Sequence, residues 1–352
     1  MIIKGGKDTN KKQRKESRAH NLLYLCGEIF FNRFDMNVSV IIPNYCHARF
    51  LNQRIDSVLN QTYSDYEVII LDDCSTDNSR EIIESYRNHP KISHIVYNEK
   101  NSGSTFIQWE KGFELARGEY IWIAESDDVA RSTFLEECMN AFSSYSDVSI
   151  VFSDCLFVDE NTRDMHETKL QLTYRLSDKK QDSPYNGRFF IDHRMFYQNY
   201  IMNASMVVFR KNSRHPDKAY MNYRYVGDWL FWVGILLNGN TVYIDKQLNL
   251  FRQHAGNTTA TSFSSGNNYK EMGRLMTDIC RIVQPPTGFK PYLYGYFFVH
   301  LRRHFKKMKY NPSIVKEIFD EWARNENRTF SIIWYRIAKW LCLYKDKRPF
   351  RP

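Results

Sequence analysis

Four short apolar runs, each followed by a stretch of helical spacing or a loop, constrain this chain more than any other feature. Val38 to Pro43 leads into Phe50, Leu51, Ile55, Val58 and Leu59. Glu67 to Leu71 ends in Asp72-Asp73 and leads into Ile82, Ile83 and Tyr86. His94 to Tyr97 precedes a helical pattern from Phe106 to Ala116, and Glu119 to Ala124 ends in Glu125-Ser126-Asp127-Asp128. Continuous apolar character marks strands buried on both faces, and their alternation with helices predicts a mainly parallel sheet flanked by helices. Right-handed crossovers then set Tyr45, Asp73 and Asp128 along one edge, where open α/β sheets bind their ligands.

The acids closing the fourth run are the most specific chemical signal. Carboxylates at a strand end suit Mg²⁺ or Mn²⁺, which take oxygen ligands from one or two acids and from substrate phosphates. The same residues would also serve as a helix N-terminus with extra charge. Asp72 reads as a support for the loop after its strand. Further along, Asn203 to Phe209 has the pattern of a strand, short strands fit Thr241 to Ile244 and Leu248 to Phe251, and Gly227-Asp228 opens an apolar helix containing Trp229 and Trp232.

Taken in order, Val-Ser-Val-Ile-Ile-Pro-Asn-Tyr45, Gln61-Thr62-Tyr63, Leu71-Asp72-Asp73-Cys74-Ser75-Thr76-Asp77, Asn101-Ser102-Gly103, Gly118-Glu-Tyr-Ile and Glu125-Ser-Asp-Asp128 resemble the family 2 inverting glycosyltransferases of the GT-A fold. The resemblance covers about Asn37 to Asn257 and is strongest before Asp154. It implies a Rossmann-like sheet and transfer of a sugar from a nucleotide-diphosphate donor to a glycan or lipid-linked acceptor, with Mn²⁺ or Mg²⁺ as cofactor, in cell-surface polysaccharide assembly. By position, it implies that Pro43 and Tyr45 border the nucleobase, that Asp73 accepts a hydrogen bond from it, and that Asp127 lies near the ribose. It further implies Asp128 as metal ligand, Arg252 at the diphosphate, His254 as a further metal ligand, and Asp228 as the base that takes the acceptor proton. Glu125 stands where many relatives carry Asp and is expected behind the ligands; Trp109 reads equally as core or as a sugar platform.

The charge is unevenly placed. Met1 to Asp35 holds eight Lys or Arg against four acids and Lys270 to Pro352 eighteen against seven, so the net +9 resides in the ends and the middle is acidic. We therefore divide the chain into a basic extension, 1–36, a glycosyltransferase domain, 37–261, and a helical basic region, 262–352. A nucleic-acid binder would be expected to continue its basic surface over the fold. A sugar-phosphate nucleotidyltransferase, the other alternative, usually needs a Gly-rich basic loop after the first strand, and Asn44 to Phe50 is not one. Aromatic and basic residues alternate in Phe330 to Tyr344, and Tyr292 to His300 runs into Arg302, Arg303, Lys306, Lys307 and Lys309. Neither stretch reaches the roughly 20 apolar residues of a spanning helix. Both fit helices on an anionic membrane surface, or helices packed on the domain with a solvated basic side. Seven scattered cysteines without Cys-x-x-Cys spacing favour a reducing cytosol and no structural zinc. The expected location is the cytoplasm, at the inner face of the cell membrane where the basic helices engage it.

Overall fold

Every residue of β1 (Val38–Asn44) and β2 (Tyr66–Asp72) is buried. Side chains alternate across a strand, so β1 serves two cores. Val40 and Ile42 enter one with Leu51, Ile55 and Val58 of α1 (Ala48–Leu59), while Ile41 enters the other. The computed structural model describes residues 38–165, 183–254, 256, 262 and 265–347. The expected extension 1–36 and the polar loop Asn257-Thr258-Thr259 lie outside them.

α2 (Ser79–Ser85), β3 (Ile92–Tyr97), α3 (Thr105–Leu115) and β4 (Tyr120–Ile123) complete the first half. β1 pairs in parallel with β2 and β4, placing Asn44 beside Asp72 and Ile41 beside Ile123. β5 (Val129–Ala130), α4 (Phe134–Ser144) and β6 (Val148–Val158) follow. After a short helix α5 (Gly187–Phe190) come β7 (Val207–Arg210), α6 (Gly227–Leu236) and β8 (Asn240–Arg252). The eight strands run in the order β3-β2-β1-β4-β7-β6-β8-β5, with β7 antiparallel to both neighbours and β5 antiparallel to β8.

Two expectations differ in detail. The strand expected from Asn203 begins as a 3₁₀ turn, Ala204–Met206, because Asn203 caps that turn by accepting the Ser205 amide. The two strands expected at 241–244 and 248–251 are one, whose register against β6 shifts around Asp154.

α7 (Asn267–Val283), α8 (Phe289–Lys307), α9 (Pro312–Asn325) and α10 (Arg328–Trp340) form the C-terminal region. Their apolar faces share one core with the sheet: Leu275, Phe297, Trp322 and Tyr335 belong to the same buried cluster as Ile41, Ile121 and Phe231. The hydrophobic core therefore has no break at 261. No described helix is long and apolar enough to cross a membrane.

Candidate active site

β1 exits through Cys46, whose φ of 54° is left-handed and is held by its amide donating to Ser75 Oγ at 2.8 Å. That turn delivers His47 to the N-terminus of α1. There Asp77 accepts the Ala48 amide at 2.9 Å, meeting a need of the helix end that the His47 side chain does not meet. The imidazole is left to face the sheet edge, where Nδ1 lies 2.8 Å from Ser126 Oγ.

The pairing of β5 with β8, only two residues long, sets Asp127 and Asp128 beside Arg252 and His254. His254 Nε2 lies 3.1 Å from Asp127 Oδ2, and His47, Asp127 and His254 can each offer a ligand atom within 4.8 Å of the others. This is the one potential metal-holding group among the described residues. Burial opposes ionisation of Asp127, but the His254 hydrogen bond and the nearby His47 hold its carboxyl below the usual range. Burial lowers the His47 pKa, so the ring is neutral and able to ligate at neutral pH.

Asp128 points elsewhere. It is fully buried, accepts from Asn203 Nδ2 at 2.7 Å and from the Arg252 amide at 2.9 Å, and lies 3.8 Å from Arg54. Burial, then the charge of Asp127, pushes its carboxyl up to about 6. Arg54 lies on the buried face of α1 and donates to the Glu125 carbonyl and to Ser205 Oγ. Glu125, behind the cluster, accepts from Trp109 Nε1 at 3.0 Å; burial and Asp127 raise it to about 8, so it is protonated at neutral pH. Trp109 itself is core.

The four other residues expected at the donor have defined surroundings. Pro43 is buried in β1 beside Leu71, whereas Tyr45 is exposed at the edge. Asp73 accepts from Asn98, from the amide and hydroxyl of Ser102, and from Gln108, so its carboxylate is already well supplied with donors. Arg252 turns its guanidinium into the protein, donating to the carbonyls of Asp127, Asp159 and Glu160, to Thr162 and to Gln53. It ties the acidic turn to the end of β6, so its donors are used within the fold. Asp72 holds the loop, accepting from Asn44 and from both the amide and hydroxyl of Ser75.

Asp228 occupies the first turn of α6, but the N-cap is Val226. The turn closes against Tyr220 and Phe106 so tightly that a Cβ on Gly227 would lie 2.7 Å from the Phe106 ring, which requires glycine. Asn199 Nδ2 donates to Asp228 Oδ2 at 3.0 Å, and burial pushes the carboxyl up to about 7. The segment from Asn199 to Ser205 joins the two sides: Asn199 holds Asp228, Asn203 holds Asp128, and Ser205 Oγ accepts from the Glu125 amide. The Cα atoms of Asn199 and Asn203 lie at most about 14 Å apart, so one short segment contacts both Asp228 and the acidic turn.

Residues 39–212 match the family model described as "Glycosyl transferase family 2". This domain belongs to that family. The chain is 37% identical over 138 residues to an uncharacterized glycosyltransferase of Nostoc sp., spanning 39% of this chain and 42% of that one. It is 36% identical over 107 residues to the poly(ribitol-phosphate) beta-N-acetylglucosaminyltransferase TarP of Staphylococcus aureus, spanning 29% and 32%. It thus spans less than half the length of these relatives. The crystal structure of S. aureus TarS 1-349 in complex with UDP-GlcNAc superposes with a TM-score of 0.60 at 18% identity, covering 90% of this chain and 93% of that one. The shared architecture, sheet and C-terminal helices together, is the GT-A fold.

The motif order in the sequence exposed Asp127, Asp128, His254 and Asp228 but missed His47, Arg54, Asn199 and Asn203. A lone arginine on the apolar face of α1 was a readable signal for Arg54. Nothing local distinguished His47 or the two asparagines.

Proposed function

We propose that this chain is a metal-dependent inverting glycosyltransferase that moves a sugar from a UDP-type donor to a hydroxyl of a cell-surface glycan or polyol-phosphate polymer. The observation that carries the reading is the group formed by His47, Asp127 and His254 at the carboxyl edge of a family 2 domain's sheet. One carboxylate with two imidazoles suits Mn²⁺ better than Mg²⁺, which prefers oxygen ligands throughout. Asp127 thus takes the ligand role that the motif order assigned to Asp128. A cation bound there supplies Lewis-acid stabilisation of the charge that develops on the leaving diphosphate. The names of TarP and of the UDP-GlcNAc complex of TarS support the choice of donor and acceptor class.

The protein's part in the chemistry falls to Asp228. Its carboxylate takes the proton of the acceptor hydroxyl while that oxygen bonds to the anomeric carbon, and the bond from that carbon to the donor phosphate breaks on the opposite face. The sugar leaves with inverted configuration. A carboxyl near pKa 7 is ionised in a useful fraction at neutral pH and is a far better proton acceptor than an ordinary aspartate. Buried Arg54 supplies counter-charge to Asp128 at the back of the cluster.

The reading is tested by a panel of nucleotide-sugars scored for thermal stabilisation of the protein with and without MnCl₂. A UDP-sugar that stabilises only when the metal is present is the expected result; no response to any nucleotide would contradict it.

A further inference from the structure

α10 has three faces where an amphipathic helix needs two. Ser331, Tyr335 and Ala338 are buried against the rest of the protein, and the approach to α8 is close enough that a Cβ on Gly295 would lie 2.6 Å from that of Tyr335. On another face stand Phe330, Ile333, Ile337, Trp340 and Leu341, which recur at helical intervals and are 52, 51, 43, 82 and 50% exposed. They account for half of the large exposed hydrophobic residues of the described chain, gathered on one short helix. Arg336 and Lys339, both exposed, lie between the two.

The charge on α10 itself is of one sign. α10 carries Arg328, Arg336 and Lys339 and no acid. It runs antiparallel to α8, since Tyr335 packs on Tyr292 and Tyr344 on Phe289, while Arg328 lies over Phe298. The cationic end of α8, with exposed Arg302, Arg303, Lys306 and Lys307, therefore continues past the N-terminal end of α10. Exposed Met308 and Lys309 extend it.

We propose that the exposed stripe of α10 is a membrane-docking surface, lying in the interfacial plane of an anionic bilayer with Phe330, Ile333, Ile337, Trp340 and Leu341 among the acyl chains and the cations of α8 and α10 at the headgroups. An apolar face bordered by Lys and Arg, with a tryptophan at one end, has the makeup of a helix that lies on a membrane. A second copy of the chain is a poorer occupant, because a two-fold contact would set this stripe and its cations against their own images. The surface would hold the transferase where lipid-linked or membrane-proximal acceptors are found, yet the inference does not depend on the donor chemistry.

The test is co-sedimentation of the full chain with phosphatidylcholine vesicles, with and without about 30 mol% phosphatidylglycerol. Ile337→Glu/Trp340→Ser and Arg302→Gln/Arg303→Gln, all at exposed positions, are compared with wild type after circular dichroism shows that each is folded. The wild type should bind the anionic vesicles and release at high salt. The stripe variant should lose binding at least about tenfold, and removing two cations should cost roughly thirtyfold. UDP binding should be unchanged in both, which separates this inference from the proposed activity. Failure of the wild type to bind anionic vesicles would overturn it. So would equal binding by the stripe variant, or a concentration-dependent dimer that Ile337→Glu/Trp340→Ser abolishes.

Discussion

The two sides of the site handle buried charge differently. At the end of β4 three carboxyls crowd together, and Arg54, the Arg252 amide and two imidazoles share out the charge so that Asp127 stays ionised. At the start of α6 one carboxyl stands with a single amide side chain, and burial alone lifts it to about 7. The first arrangement keeps a fixed negative charge, which suits holding a cation and a diphosphate. The second leaves a group free to gain and lose a proton near neutrality, which suits a base. Adjacent residues show the same contrast in miniature, since Asp127 faces the imidazoles while Asp128 is sealed against Arg54.

The strongest way to break this division is Asp228→Asn, which keeps size and the Asn199 neighbour but cannot accept a proton. Single-turnover transfer should fall about 10²- to 10⁴-fold with donor affinity within a few-fold of wild type. In the wild type the rate should climb with pH and level off above about 7, following ionisation of Asp228. A mutant with near wild-type transfer would make Asp228 a structural residue.

On the other side, Asp128→Asn should act on stability. It leaves the Arg54 charge buried without its carboxylate, at a cost of about 3 kcal/mol in denaturant unfolding, while the protein still responds to Mn²⁺. Loss of the metal response without loss of stability would move the ligand role back to Asp128. A smaller effect is expected from Ser126→Ala. Removing the hydroxyl that orients His47 should weaken Mn²⁺ binding about tenfold, read by metal titration, and an unaltered affinity would show that His47 needs no such support.

The smallest effect concerns stability at Asp228. Its folded pKa, near 7, lies above the roughly 3.9 of an unfolded aspartate, so the stability tied to its protonated form is complete below about pH 4 and lost as pH rises through 7. Asparagine escapes that loss. Asp228→Asn should therefore gain roughly 2 °C or more in Tm over wild type at pH 8 and less at pH 5. An equal difference at both values would mean that burial does not perturb Asp228.

What the sequence made legible follows the range of the contacts involved. β1, β2 and β4 are apolar runs with local punctuation, and the parallel edge they form follows from alternation and handedness. Asp228 was legible through the family resemblance, which places a carboxylate where a glycine and an acid open an apolar helix. The partners of these residues were not, because they arrive from far along the chain. His254 reaches Asp127 through a strand pair two residues long, and Asn203 reaches Asp128 from a capped turn that reads as strand. Arg252 shows the limit most plainly: its charge suggested phosphate, and only the positions of the Asp159, Glu160 and Thr162 acceptors reveal that its donors are used within the fold. The C-terminal region was legible as basic helices, whereas its share in the main core depends on contacts between aromatic residues with no sequence signature.

The central claim is that Asp127, with His47 and His254, binds the cation that joins the donor to this edge. Isothermal titration of UDP into wild type and Asp127→Asn, each with Mn²⁺ and with a chelator, tests it most directly. Mn²⁺ should strengthen UDP binding to the wild type, and the mutant should lose that gain, at least about a hundredfold. Equal Mn²⁺-dependent affinity in the two proteins would contradict it.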